Sequence, residues 1–331
     1  MFPSDFTQRL EETLGKQAAD QILASMSAPK AVGLWENPLR TGSSWPGLPA
    51  LCESQGLGSA QSVSASLPGC FRIDKPDRDA LMRTEWVNTG AVYPMNPSSL
   101  FAAKALAVKP GDEVLDLAAA PGGKSLVLAA ALAEGGEFSG RLALVEPIRA
   151  RFHRLRANMQ RCGVIQADYY QRDGRTVGQA VPDRFDRVLL DAPCSSEARF
   201  RSTESSSMAH WSLRKVRDCA RKQKALLKSA FRTLKPGGTL VYSTCSFSLE
   251  ENERIVDGLL RREPAAELLP IEIAADLSDV FYPAITEVGA TDRRGGAMRK
   301  SKALNCALAR RVLPNELWDG FFMAKIMKRP D

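Results

Sequence analysis

Cys194 and Cys245 are the residues of this chain best placed to do covalent chemistry. Cys194 lies in Asp191-Ala192-Pro193-Cys194-Ser195-Ser196, after the apolar run Val188-Leu189-Leu190. Cys245 lies in Tyr242-Ser243-Thr244-Cys245-Ser246, after Thr239-Leu240-Val241-Tyr242. Such runs read as buried strands of a parallel sheet. Open α/β sheets bind ligands at the carboxyl ends of their strands, so both thiols are directed to one crevice. A glycine-rich turn, Pro121-Gly122-Gly123-Lys124, precedes them. Two soft nucleophiles beside such a turn suggest covalent catalysis next to a bound cofactor.

The elements that must position these residues follow from periodicity. Residues 4–28 read as one or two amphipathic helices, with Phe6, Leu10, Leu14, Ile22, Leu23 and Met26 on one face. From Gly33 to Gly69 the composition turns to Gly, Ser and Pro, which predicts short strands and loops. A boundary near residue 90 separates an extension, 1–90, from a larger unit, 91–331, in which strands and helices alternate. There the predicted strands are Glu113–Leu117, Arg141–Val145, Gln166–Tyr170, Phe185–Leu190 and Thr239–Ser243. The predicted helices are Leu100–Val108, Ser125–Ala133, Arg149–Cys162, Leu213–Leu234 and Glu250–Arg262. Residues 264–302 read as irregular, and Ala303–Arg311 and Gly320–Lys328 as two final antiparallel strands. The expected fold is α/β: a mostly parallel sheet, helices on both faces, a C-terminal hairpin on one edge and a small N-terminal α+β extension.

Composition narrows the chemistry. The chain has 331 residues, a formal net charge of +7 and seven cysteines without a CxxC pair. Scattered, odd-numbered cysteines do not form a disulfide framework and point to a reducing, cytoplasmic setting. Two distant histidines leave no metal site and no histidine acid–base pair, so Asp, Glu, Cys, Lys or water must move protons. No apolar run is long enough to span a membrane, and the amino terminus does not read as a targeting signal. The positive charge favours an anionic partner such as nucleic acid.

The segment Val114–Ser125 is strand, tight turn and helix, with room for a ligand to approach the backbone of Ala119, Ala120, Pro121, Gly122, Gly123 and Lys124. A Walker loop requires glycine where Ala118 stands. A dinucleotide fingerprint requires G-x-G-x-x-G, of which only Gly122 and Gly123 are present. S-adenosylmethionine fits better, with Glu146 at the end of the next strand for the ribose hydroxyls. Asp173, past the third strand, is placed for the adenine amine, and Arg151 joins the candidate cofactor contacts. A thiolate is needed beside a methyl sulfonium when the acceptor is carbon 5 of cytosine. Thiolate addition at carbon 6 turns the ring into an enamine and makes carbon 5 nucleophilic. Asp191, next to the thiols, is a candidate to hold the base's amino edge.

The Leu115–Lys124 loop, Asp191-Ala192-Pro193-Cys194-Ser195 and Tyr242-Ser243-Thr244-Cys245-Ser246 together resemble the NOP/Sun family of RNA 5-methylcytosine methyltransferases. Glu250-Glu251-Asn252-Glu253, Arg311–Pro314 and Gly320-Phe321-Phe322 match the same pattern, as do Pro3–Phe6 and Asn37–Arg40. The resemblance implies a Rossmann-like class I methyltransferase fold with Cys245 as nucleophile and Cys194 assisting product release. It also implies that Gly122, Lys124, Glu146, Asp173 and Asp191 line the donor and base pocket. Trp35 stands where the family usually has an arginine, and residues 197–211 differ from the commoner rRNA-enzyme form.

Basic residues crowd 149–161, 199–201, 214–224 and 293–302. The 199–201 and 293–302 segments read as phosphate contacts, whereas the 214–224 run reads equally as a solvated helix face. The expected partner is an unpaired or flipped-out cytosine of rRNA, or of tRNA, acted on by a monomer. Two alternatives stay open. One is a DNA cytosine methyltransferase with Cys194 as nucleophile, and the other a non-catalytic RNA-binding ribosome-assembly factor.

Overall fold

Period-two alternation along the apolar runs builds the central sheet. Val114, Leu189 and Val241 face one apolar layer, while Leu115, Val188, Leu190, Leu240 and Tyr242 face the other. A sheet apolar on both faces must be covered by helices on both. The computed structural model describes residues 2–74, 78–288 and 302–330.

The first part holds α1 (Ser4–Leu14), α2 (Lys16–Ser27), β1 (Val32–Glu36), α3 (Leu48–Ser54), β2 (Ala60–Ser62), β3 (Cys70–Ile73), α4 (Arg78–Arg83), α5 (Glu85–Asn88) and β4 (Val92–Pro94). Its four strands form an antiparallel sheet in the order β2-β3-β1-β4. Trp35 is buried in β1, opposite Cys70 and Tyr93. The amphipathic face of α1 and α2 packs outside this sheet. Phe6, Leu10, Ile22 and Met26 cluster with Phe200, Phe247 and Leu313, and the Phe6 ring lies 5.0 Å from that of Phe200. The amino-terminal helices therefore brace the loops that follow the two cysteines.

The second part continues with α6 (Ser98–Ala105), β5 (Glu113–Asp116), α7 (Gly123–Leu132), β6 (Arg141–Val145), α8 (Arg149–Arg161), β7 (Asp168–Tyr170), α9 (Gly174–Ala180) and β8 (Phe185–Asp191). Then come α10 (Leu213–Thr233), β9 (Leu234–Thr244), α11 (Glu253–Leu260), β10 (Ala266–Leu269), β11 (Phe281–Pro283), β12 (Glu287–Val288), β13 (Lys302–Ala303), β14 (Arg310–Val312) and β15 (Phe321–Lys328). The large sheet runs β11-β14-β15-β9-β8-β5-β6-β7, with β10 also on β15. Strands β9, β8, β5, β6 and β7 are parallel; β15, β14, β11 and β10 join antiparallel. This is the expected mostly parallel sheet with antiparallel C-terminal strands.

Several elements differ from expectation. The C-terminal edge holds more than a hairpin, because β10 and β11 come from the stretch read as irregular. Ala303–Arg311 is not one strand. A turn closed by Ala309 N–H on the Cys306 carbonyl separates β13 from β14. The short α9 was not foreseen, since its glycines Gly174 and Gly178 mask its helical pattern. Both glycines are needed for packing: an added Cβ at Gly178 would meet the Ser229 backbone at 2.3 Å. Helix α11 begins at Glu253 rather than Glu250, because the preceding residues form turns. Among the described residues, no helix is long and apolar enough to cross a membrane.

Candidate active site

The turn between β5 and α7 is built for close approach. Gly122 has φ 113°, in the left-handed region, and an added Cβ would press on Met159 Sδ at 3.1 Å and Leu155 at 3.2 Å. At Gly123 an added Cβ would come within 3.1 Å of the Tyr93 ring. Helix α8 fixes the turn from outside. Arg151 Nη2 donates to the Ala120 carbonyl and Asn158 Nδ2 to the Pro121 carbonyl, both at 2.9 Å. Asp116, at the end of β5, is fully buried and accepts from Ser125 Oγ at 2.7 Å. Burial pushes its carboxyl up from 3.8 to about 6.

The next strand ends differ in exposure. Glu146 follows β6 and is buried, with Oε1 accepting the Ile148 N–H at 2.9 Å and Oε2 facing Arg151 Nη1 at 3.4 Å. Asp173 caps α9, accepts the Arg175 N–H at 3.0 Å and pairs with the Arg175 guanidinium. Those hydrogen bonds hold its carboxyl below the usual range. Asp191 closes β8. Its Oδ2 accepts from Lys124 Nζ at 2.6 Å and its Oδ1 from Ser243 Oγ at 2.9 Å. Lys124 thus ties the glycine turn to the strand end that leads to Cys194. Its ammonium also sits 5.4 Å from the centre of the Phe321 ring.

Strands β8 and β9 pair in register through Asp191 and Ser243, so their following loops leave the sheet side by side. That register brings Cys194 Sγ to 3.1 Å from Cys245 Sγ. The two thiols titrate in opposite directions. The hydrogen bond from Cys194 lowers Cys245, aided by the nearby Arg199 guanidinium and opposed by burial. The same contact, with burial, raises Cys194. Of the two, Cys245 is therefore the thiol whose ionisation the contact favours.

A polar floor lies beneath the thiols. Ser195 N–H donates to Glu251 Oε2 at 2.9 Å, and Ser246 Oγ bridges Glu251 and Glu197. Ala198 N–H donates to the Cys245 carbonyl at 3.0 Å, which pins the turn carrying Arg199 beside the thiol. Asn252 accepts from Thr244 Oγ1 at 2.5 Å and donates to the Ser246 carbonyl at 2.7 Å. Glu253 and Arg311 form a fully buried bidentate pair, and Arg311 also donates to the Phe247 carbonyl.

The fold therefore gathers the glycine turn, Lys124, Asp191, Cys194 and Cys245 into one group, with Glu146 and Arg151 along the same strand ends. Asp173 lies at the next strand end, with its carboxylate already engaged. The sequence assigns no role to Glu197, Ser246 or Arg311, and it reads Arg199 as a phosphate contact, whereas the fold sets Arg199 beside the Cys245 thiol. An acidic run before an apolar helix was the visible signal for Glu251 and Glu253, but their partners lie far off in sequence. Arg201 donates to Asp319 and to the Phe200 carbonyl. Of the basic 293–302 segment, Arg293, Arg294, Arg299 and Lys300 lie outside the described residues.

Residues 103–327 match the sequence model of a family described as 16S rRNA methyltransferase RsmB/F. A protein of Klebsiella pneumoniae named ribosomal RNA small subunit methyltransferase F is 38% identical over 272 residues, covering 79% of this chain and 51% of the relative. Its namesake in Erwinia tasmaniensis is 39% identical over 208 residues, covering 60% and 42%. The chain spans about half the length of these curated relatives. Among solved structures, a methyltransferase homologue from Pyrococcus horikoshii is 27% identical with a TM-score of 0.76, covering 99% of this chain and 95% of its own. The NSun6 of Pyrococcus horikoshii, solved with SFG, shares the fold at 21% identity with a TM-score of 0.78, covering 100% and 99%.

Proposed function

The chain belongs to the RsmB/F family of 16S rRNA methyltransferases, and on that footing we propose that it methylates carbon 5 of a cytosine in RNA. Small-subunit rRNA is the first choice of substrate and tRNA the second. The observation that carries this reading is the 3.1 Å contact between Cys194 and Cys245 where strands β8 and β9 leave the sheet side by side. S-adenosylmethionine would supply the methyl group. The residues present fit it, since Gly122 and Gly123 leave the turn without side chains and Glu146 is a buried carboxylate at the adjacent strand end.

Cys245 Sγ adds to carbon 6 of the cytosine, forming a carbon–sulfur bond and moving the ring's electron pair to carbon 5. Carbon 5 then takes the methyl group. A base removes the proton from carbon 5, and the returning electron pair expels Cys245 as thiolate. Cys194, whose sulfur lies 3.1 Å from the leaving one, assists that departure. Asp191 holds the base's amino edge, and Lys124 aims the Asp191 carboxylate. A base inside a helix does not reach these atoms, so the target is unpaired or flipped out.

Residues 1–90 form an RNA-facing extension and 91–331 the catalytic unit in this reading, with β4 crossing between them to complete the small sheet. The enzyme works as a single chain in the cytoplasm. RNA containing 5-azacytosine at the target position tests the roles of the thiols. Wild-type protein forms a covalent adduct, Cys245→Ala forms none, and Cys194→Ala accumulates it. Adduct formation by Cys245→Ala, with none by Cys194→Ala, would reverse the assignment.

A further inference from the structure

The floor beneath the thiols contains more oxygen contacts than it has hydroxyl protons. Four contacts join two serine hydroxyls and two carboxylates. Ser195 Oγ touches Glu251 Oε1, and Ser246 Oγ lies 2.8 Å from the same oxygen. Ser246 Oγ is also 2.9 Å from Glu197 Oε2 and 3.1 Å from Ser195 Oγ. Ser195 and Ser246 bring two hydroxyl protons. With both glutamates ionised, Ser246 would face one carboxylate oxygen with nothing between them. One further proton, on Glu251 Oε1, removes that conflict. Ser195 then donates to Glu251, Glu251 to Ser246 and Ser246 to Glu197, and only the longest contact holds no proton.

The position of that proton follows from the remaining donors. Glu251 Oε2 accepts from Ser195 N–H and Gln223 Nε2, both at 2.9 Å. Glu197 accepts from Trp211 Nε1, from the backbone of Phe247 and Ser248, and from Ser248 Oγ. Only Glu251 Oε1 is left to carry it. Charge balance agrees. Among the described residues, no lysine or arginine bonds either carboxylate. Two adjacent buried carboxylates without a cation do not both ionise at ordinary pH. The groups facing Glu251 are Glu197, Cys194, Tyr242 from β9, and Cys219 and Gln223 from α10, none of them cationic. Burial and the neighbouring Glu197 both push the Glu251 carboxyl upward.

We propose that Glu251 is a positioning residue which, as a neutral carboxylic acid joined to both Ser195 and Ser246, clamps the two cysteine loops at thiol contact with a single negative charge beneath them. Ser195 adjoins Cys194 and Ser246 adjoins Cys245, so one shared proton fixes the spacing of the sulfurs. An ionised Glu251 would oppose the Cys245 thiolate. The importance of that spacing rests on the proposed reaction, but the clamp itself does not.

The test uses the full chain and needs no RNA. Iodoacetamide modification of Cys245 is followed by mass spectrometry across pH in wild type, Glu251→Gln and Glu251→Ala. Folding is monitored by circular dichroism. Glutamine keeps an oxygen for Ser195 N–H and Gln223, and its amide donates to both serines. The expected result is a wild-type pH profile for Glu251→Gln and a midpoint raised by about one pH unit, a tenfold loss of rate near neutrality, for Glu251→Ala. Infrared difference spectra should show a protonated-acid carbonyl band that disappears in Glu251→Gln. Absence of that band in wild type, or an unchanged profile in a folded Glu251→Ala, would overturn the proposal. Adduct trapping run in parallel separates this outcome from failure of the methylation reading: loss of trapping with an intact clamp would count against the reaction alone.

Discussion

Glu251 and Glu253 lie on one turn, both fully buried, and they reach neutrality by different routes. Glu253 receives a cation: Arg311 Nη2 and Nε bond its two oxygens at 2.6 and 2.7 Å. Glu251 receives none, and serine hydroxyls and an amide surround it. The cation-paired glutamate ties α11 to β14. The glutamate nearest the thiols does without the cation. There a carboxylic acid supplies directional bonds and no net charge, and the positive charge beside Cys245 comes from Arg199 instead. Asp116 is a third case, with one hydroxyl and one backbone N–H as its partners.

The sharpest way to break this comparison is to remove a cation. Arg311→Met leaves Glu253 as an uncompensated buried charge and takes a donor from the Phe247 carbonyl. The expected cost is about 3–5 kcal/mol in urea unfolding. Glu253→Gln combined with Arg311→Met should recover much of it. If the single variant loses less than about 1 kcal/mol, the pair is not the structural tie described here.

Asp116→Asn gives a smaller, pH-dependent effect. The folded protein binds a proton on Asp116 up to about pH 6, which the unfolded chain releases near 3.8. Stability therefore falls as pH rises through that window, by about 3 kcal/mol at most. Asparagine keeps the bonds to Ser125 and Ala118 and should flatten that slope between pH 4 and 6. An unchanged slope would show that Asp116 is not its source. Asp173→Ala is the smallest change. It removes the helix cap of α9 and an exposed ion pair, for about 1 kcal/mol in thermal unfolding. Because Asp173 has its own structural duty, donor affinity measured alongside stability will show whether it serves both.

The strand ends were legible because apolar runs followed by Asp191, Cys194 and Cys245 repeat one pattern, and the glycine turn has few conformational options. The polar floor was not. Ser246 meets Glu197 across 49 positions, and Glu253 meets Arg311 across 58. No local propensity encodes such pairings. The start of α11 was placed too early for the same reason. Glu251 and Asn252 look like helix residues, yet their side chains are committed to Ser195, Ser246 and Thr244. The helices α1 and α2 were recognised from their periodicity. Their docking on Phe200 and Phe247 was invisible, because an amphipathic face does not name its partner.

Strand β15 lies between β9 and β14, and β9 carries the segment that ends at Cys245. A nascent polypeptide leaves the ribosome at about 5–20 residues per second. β9 thus emerges several seconds before residues 321–328 arrive to cover its open side. Through that interval an apolar edge strand and a reactive sulfur face the cell without their final neighbour. Chaperone capture during synthesis should concentrate on this interval, and slow synthesis over the 245–320 stretch should lower the yield of active molecules.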